Sequence, residues 1–121
     1  MITFTEKVDK KTGEVVRQYL LKRGDSFRFK AKSVDSGDLI SAVKFKVSNE
    51  DYCQFYVKDY ELNDDGSWYL FVESADTTRW KVTEGYDYIT EVEVTYSDGG
   101  VDTVENGVLK VAEEIHECGN E

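Results

Sequence analysis

Residues Tyr86 to Val111 read YDYITEVEVTYSDGGVDTVENGVLKV, and this stretch decides the fold class. From Tyr86 to Tyr96 the chain alternates. Tyr86, Tyr88, Thr90, Val92, Val94 and Tyr96 point one way, Asp87, Glu91, Glu93 and Thr95 point the other, and only Ile89 breaks the polar row. A period of two marks a strand with one buried face. Ser97, Asp98, Gly99 and Gly100 adopt positive φ readily, so they reverse the chain and let Val101 to Glu105 pair back. Asn106-Gly107 reads as a second tight turn, leading to a last strand over Val108 to Ala112.

The same signals recur outward from this hairpin. Met1 to Val8 alternates, with Ile2, Phe4 and Val8 on the apolar side. The turn Asp9 to Glu14 then returns Val15 to Leu21 as the partner strand of a projecting hairpin with a lysine-rich tip. Lys22 to Asp25 turns the chain into Ser26 to Lys32, where Phe27, Phe29 and Ala31 face in. A polar loop, Ser33 to Asp38, feeds Leu39 to Val47, with Val43, Phe45 and Val47 on one face and Lys44 and Lys46 on the other. Beyond the turn at Ser48 to Asp51, Tyr52 to Leu62 reads as one strand, with Cys53, Phe55 and Val57 opposite Tyr52, Gln54, Tyr56 and Lys58. Asn63-Asp64-Asp65-Gly66 is a strong hairpin turn into Ser67 to Glu73, whose two faces are both apolar enough to be covered. Ala75 to Thr78 predicts a short helical turn capped by Asp76 or a threonine, after which Trp80 drops inward. Turn signals every ten residues or so, without a long helix-period segment, predict an all-β, immunoglobulin-like antiparallel β-sandwich of about seven to nine strands.

At 121 residues the chain fits one domain, taken as residues 1–112, followed by an acidic polar tail over 113–121. A hydrophobic fraction of 40% with 13% aromatics supports a packed core despite 33% charged residues. Average usage would supply about six prolines, and there are none, so sheet edges need lysines, bulges, twist or a partner to guard them. The net charge of −10 opposes binding to nucleic acid and suits a basic partner surface. No apolar run approaches the roughly 20 residues that cross a membrane, and no signal-peptide pattern opens the chain.

Catalytic chemistry is poorly supplied. The single histidine, His116, lies in the tail without a nucleophile motif beside it. Cys53, Cys118 and His116 lack the paired spacings of zinc sites, and the two cysteines do not make a disulfide framework. Asn63 to Gly66 lacks the alternating ligands of a calcium loop. Glu91 and Glu93 share a strand face about 6.6 Å apart, within reach of glycosidase geometry, but carboxylates on the wet face of a strand ordinarily serve solvation. The expectation is therefore no catalytic residue, no cofactor and no metal. Arg23-Gly24-Asp25 spells an integrin-recognition tripeptide inside a tight turn and is read as accidental. Tyrosine is the residue in excess: Tyr52, Tyr56, Tyr69, Tyr86 and Tyr88 form the candidate interface or ligand platform, since phenols suit both protein interfaces and stacking on sugar rings. If Tyr52, Tyr56 and Tyr69 share one exposed face, they make a contiguous patch that needs a partner.

One pattern is also familiar. Thr77, Trp80, Gly85, Tyr86, Tyr88, Glu91 to Tyr96, Asp98-Gly99, Asp102-Thr103-Val104, Gly107, Leu109 and Val111 follow one another as in phage structural proteins. The run resembles the N-terminal immunoglobulin-like domain of upper baseplate proteins from phages of Gram-positive hosts. Arg23-Gly24-Asp25-Ser26 with Phe27 and Phe29 resembles that family's early strand opening, and Ile40, Val43, Phe45 and Val47 its second apolar strand. The chain departs from the pattern at Ile89, where the family has an aspartate. The resemblance implies a non-enzymatic virion domain of tail or baseplate, held in the bacterial cytoplasm until assembly. Its partners would be other virion or tail proteins or further copies of itself, with neither nucleic acid nor membrane. The alternative is a carbohydrate-binding module with an exposed aromatic platform, its partner a glycan.

Overall fold

A computed structural model describes residues 3–8, 13, 15–31 and 40–113. They form nine strands and one helical turn: β1 (Thr3–Val8), β2 (Val15–Lys22), β3 (Phe27–Ala31), β4 (Ile40–Ser48), β5 (Gln54–Asp59), β6 (Glu61–Leu62), β7 (Trp68–Val72), α1 (Ser74–Thr77), β8 (Tyr88–Tyr96) and β9 (Val101–Ala112). Two sheets result, one of six strands in the order β1-β2-β9-β8-β4-β5 and one of three in the order β3-β7-β6. The anticipated all-β sandwich is present. Its strand order is that of an immunoglobulin-like domain: β3, β7 and β6 lie in one layer, and β9, β8, β4 and β5 in the other. The pairings are antiparallel except β2 with β9, which run parallel from Val16 opposite Asn106 to Lys22 opposite Ala112.

The alternation read in the sequence sets the core. Val43, Phe45 and Val47 from β4, Val92 and Val94 from β8, and Leu109 and Val111 from β9 are buried against Phe27, Leu70 and Val72 of the smaller sheet. Trp80, 4% exposed, enters from the connection before β8. Its ring meets Phe27 at 6.4 Å and Tyr56 at 5.1 Å. The helical turn is fastened to the β2–β3 turn, with the Ser74 hydroxyl donating to the Gly24 carbonyl (2.6 Å) and the Thr77 hydroxyl to that of Asp25 (2.8 Å). In the same turn Arg23 pairs with Glu113 at 3.1 Å, so the Arg-Gly-Asp sequence is tied into the end of the sandwich.

Several expectations are corrected. Asn106-Gly107 is not a turn: β9 runs unbroken through it. A β-carbon at 107 would lie 2.4 Å from the Thr90 hydroxyl, 3.0 Å from the Arg17 carbonyl and 3.0 Å from the Tyr19 ring, so the glycine serves close approach. The irregularity in β9 falls earlier, where the register shifts between Val92 and Glu93. Tyr52 to Leu62 is not one strand either. It breaks at buried Tyr60, whose N–H donates to the Val43 carbonyl (2.8 Å), and β5 and β6 belong to different sheets. Tyr56 is the half-buried side of β5, whereas Phe55 and Val57 are 44% and 37% exposed. Val8 is 63% exposed, because the smaller sheet does not extend over the hairpin end. Outer-face Tyr69 and Phe71 are also exposed, with Lys30 and Arg28 over their rings and the Arg28 guanidinium 4.7 Å from the Phe71 ring centre. The helical turn starts from Glu73 without a side-chain cap. The tip of the first hairpin, the loop over 33–38, and His116 and Cys118 lie outside the described residues.

Replacing Gly107 with alanine should cost at least about 1–3 kcal/mol, the usual penalty for overpacking a rigid site. Urea unfolding of the Gly107→Ala chain against the parent measures it, with Gly99→Ala at an exposed turn as a comparison for strain without a clash.

Candidate functional site

The five tyrosines occupy separate places, so the contiguous patch does not form. Tyr56 faces the smaller sheet and donates its hydroxyl to Asp76 Oδ2 (2.8 Å). Tyr69 stands on the outer face of β7 with the Lys30 ammonium 5.5 Å from its ring centre. Tyr86 is 39% exposed, ahead of β8. Tyr88, the first residue of β8, sends its hydroxyl back to the Lys81 carbonyl (3.0 Å) and packs its ring 4.8 Å from Phe55. A tyrosine at this corner, bonded to backbone a few residues upstream, is a recurrent fastening of immunoglobulin-like sandwiches. The alternation shows the direction of Tyr88 but not the loop its hydroxyl meets, so Tyr88 is a fastening and not part of a platform.

Tyr52 is the exception. It is 74% exposed and is the non-glycine residue with positive φ, at 60°, among the described residues. Such a conformation costs about 1–2 kcal/mol outside glycine. Asn49 enforces it. Its side-chain oxygen accepts from the N–H groups of Asp51 (2.9 Å) and Cys53 (3.0 Å), while the backbone closes from Asn49 N–H to the Cys53 carbonyl (3.1 Å) and from Tyr52 N–H to the Asn49 carbonyl (3.0 Å). An asparagine closing a turn on its own backbone is local chemistry. Its consequence here is to stand the ring of Tyr52 beside a shallow groove.

The groove, about 210 Å³, lies on the outer face of the larger sheet and is lined by Lys46, Ser48, Tyr52, Gln54, Ile89 and Glu91. Strand pairing assembles it: Lys46 lies opposite Glu91 and Ser48 opposite both Ile89 and Gln54. Ile89, the residue that interrupts the polar row of β8, is part of its lining. The Lys46 ammonium reaches Glu93 Oε2 at 2.6 Å. Glu93 is therefore an ion-pair partner while Glu91 borders the groove, and the two carboxylates that shared a face in the sequence hold different positions.

A second polar cluster was missed by sequence reading. On the inner face of the larger sheet Arg17 bridges Glu6 (3.5 Å) and Glu105 (3.3 Å), and the buried hydroxyl of Tyr19 donates to Glu105 Oε1. The parity of Arg17, Tyr19 and Leu21 was the available signal. In the Asn63 to Gly66 turn, Asp65 Oδ1 accepts from the Ser67 N–H (2.9 Å) and hydroxyl (2.5 Å), which hold its carboxyl below the usual range. Among the described residues no three His, Cys, Asp or Glu side chains are placed to hold a metal ion.

No family model matches this chain, and no curated protein does. Among solved structures, fibronectin(III)-like modules of Clostridium thermocellum CbhA align over 93% of this chain and 98% of theirs, at 17% identity and a TM-score of 0.48. The strand order alone defines the class: an immunoglobulin-like β-sandwich domain.

Tyr88→Phe should lower stability by about 0.5–1.5 kcal/mol, the net worth of one hydrogen bond, as read from thermal unfolding. Burial, then the bonds to Glu105 and Asp76, raises Tyr19 and Tyr56 above the ordinary 10.0, and burial with the Glu105 charge raises Tyr60. A phenol raised by folding contributes stability that is present in full below the unfolded value and lost as pH climbs through the folded one. Stability should therefore fall above about pH 10, with these three ionising only as the chain unfolds. Tyrosinate absorbance alongside far-ultraviolet circular dichroism checks it.

Proposed function

We propose that this chain is a non-enzymatic contact module that works by adding strands to its larger sheet through β1. The observation that carries this reading is the edge itself. Among the described residues nothing pairs with the far side of β1, and its ladder with β2 is regular from Thr3 opposite Leu20 to Val8 opposite Val15. The other edges are blunted by the devices proteins use against unwanted pairing. β5 carries a register shift and Lys58, β6 has two residues, and β3 alternates Arg28 and Lys30 with its core residues. β1 is the longer of the two regular edges, six residues against the five of β3, and although it carries Glu6 and Lys7, Val8 and Val15 at its hairpin end are 63% and 53% exposed. Backbone pairing along such an edge supplies affinity, and side chains on alternate positions supply selectivity.

The partner is a second copy or a neighbouring protein of the same assembly. A two-fold antiparallel pairing centred on Thr5 sets Thr5 against itself, a favourable β-branched pair, and keeps Glu6 from facing its own copy. The virion setting, in tail or baseplate after a cytoplasmic stage, rests on the sequence resemblance of the 77–111 pattern to upper baseplate N-terminal domains.

Solution mass across a concentration series, by size exclusion with light scattering, should rise from monomer to dimer or beyond. Thr5→Lys opposes two like charges at the pairing centre without touching the core, and should return the chain to monomer where the parent is associated. A parent chain that stays monomeric at every concentration overturns self-pairing through β1.

A further inference from the structure

We infer that the groove beside Tyr52 binds one ring of a neutral polysaccharide, with Tyr52 as the stacking surface and Ser48, Gln54 and Glu91 as hydroxyl-binding groups. This goes beyond the contact reading and is independent of it, since β1 and β5 are opposite edges of the same sheet.

Folding does not account for Tyr52. Its ring is 74% exposed, its φ of 60° is one that side-chain-bearing residues avoid, and among the described residues its side chain has neither a ring partner nor a hydrogen bond. A glycine would relieve the turn and remove an exposed apolar surface. Strain held in place by a dedicated clamp, here Asn49, is characteristic of residues positioned for a ligand.

The groove sets the ligand class. At about 210 Å³ it is smaller than the roughly 300–1,000 Å³ of pockets for drug-sized ligands, so it accepts a single six-membered ring. A pyranose offers an apolar C–H face to a tyrosine ring and hydroxyls, each donor and acceptor, around its rim. The polar side chains at hand complement them: the Gln54 amide donates and accepts, the Ser48 hydroxyl does both, and the Glu91 carboxylate accepts. None of the three is engaged by another side chain among the described residues. Charge excludes the anionic sugars. Lys46 is committed to Glu93 at 2.6 Å, which leaves Glu91 as the uncompensated charge of the lining. The open side of the groove lets a chain of sugars continue past the bound ring.

The probes are cellohexaose, laminarihexaose, mannohexaose and chitohexaose, with trigalacturonic acid as the anionic control, titrated into the full chain by calorimetry and by amide chemical shifts. At least one neutral oligosaccharide should bind saturably and move the Gln54 side-chain amide, and the anionic control should not. Tyr52→Ala and Tyr52→Gly should each weaken binding by about tenfold or more, while Tyr69→Ala leaves it unchanged. Tyr52→Gly should also melt at or above the parent temperature, so lost binding cannot be ascribed to unfolding. Thr5→Lys should bind as the parent does, which separates this site from the edge of β1. The inference is overturned if no neutral oligosaccharide shifts the Gln54 or Ser48 signals at millimolar concentration, or if Tyr52→Gly binds as tightly as the parent.

Discussion

The missing side chain at Gly107 is the constraint on which the larger sheet depends. β9 is flanked by β8 on one side and by β2, running parallel, on the other. On the inner face of this three-strand centre, the Tyr19 ring, the Arg17 carbonyl and the Thr90 hydroxyl all converge on position 107. With no β-carbon there, the Tyr19 ring lies across β9 and its hydroxyl reaches Glu105, two residues along the same face. Glu105 in turn holds Arg17, and Arg17 holds Glu6 of β1. A local absence of atoms thus lets a polar chain run from the middle of the sheet to its outermost strand.

The two ends of that sheet are built differently. At the β1 end the ladder is regular and the smaller sheet gives no cover, which leaves backbone groups available to another strand. At the β5 end the ladder is bulged, Tyr56 turns to Trp80 and Asp76, and the turn before β5 is clamped by Asn49. That end offers no regular edge. It offers a fixed aromatic ring beside polar side chains instead. Pairing demands a row of unsatisfied backbone groups, whereas small-ligand recognition demands a few side chains held still, so the two places suit different partners.

Among the described residues the smaller sheet has three strands, and it covers the core. Its inner residues Phe27, Leu70 and Val72 close the core. The outer aromatics Tyr69 and Phe71 carry a cation from the neighbouring strand over each ring. Such pairs satisfy exposed rings in place, and this is why abundance of tyrosine in the chain overstated the platform available to a ligand.

The sequence by itself determined the strands and their inward faces. Alternation at Val43, Phe45 and Val47, at Thr90, Val92 and Val94, and at Leu109 and Val111 states which residues are buried, because a strand's period of two leaves no other choice. The Asp98-Gly99 and Asp65-Gly66 turns were equally legible, since positive φ at Gly99 and Gly66 is a local property. Tertiary structure decided what depends on neighbours distant in sequence. Gly107 in isolation is indistinguishable from a turn glycine, and only Thr90, Arg17 and Tyr19 show that it marks a close approach. Tyr88 faces the way the alternation said, yet its hydroxyl is claimed by Lys81, while Tyr56, grouped by the alternation with Tyr52, turns to Trp80 and Asp76. The break at Tyr60 follows from the layer above, which needs β6 beside β7. Side-chain direction is set by the backbone period and is written locally; the partner a side chain meets is set by which strands become neighbours, and that is decided only when the whole chain packs.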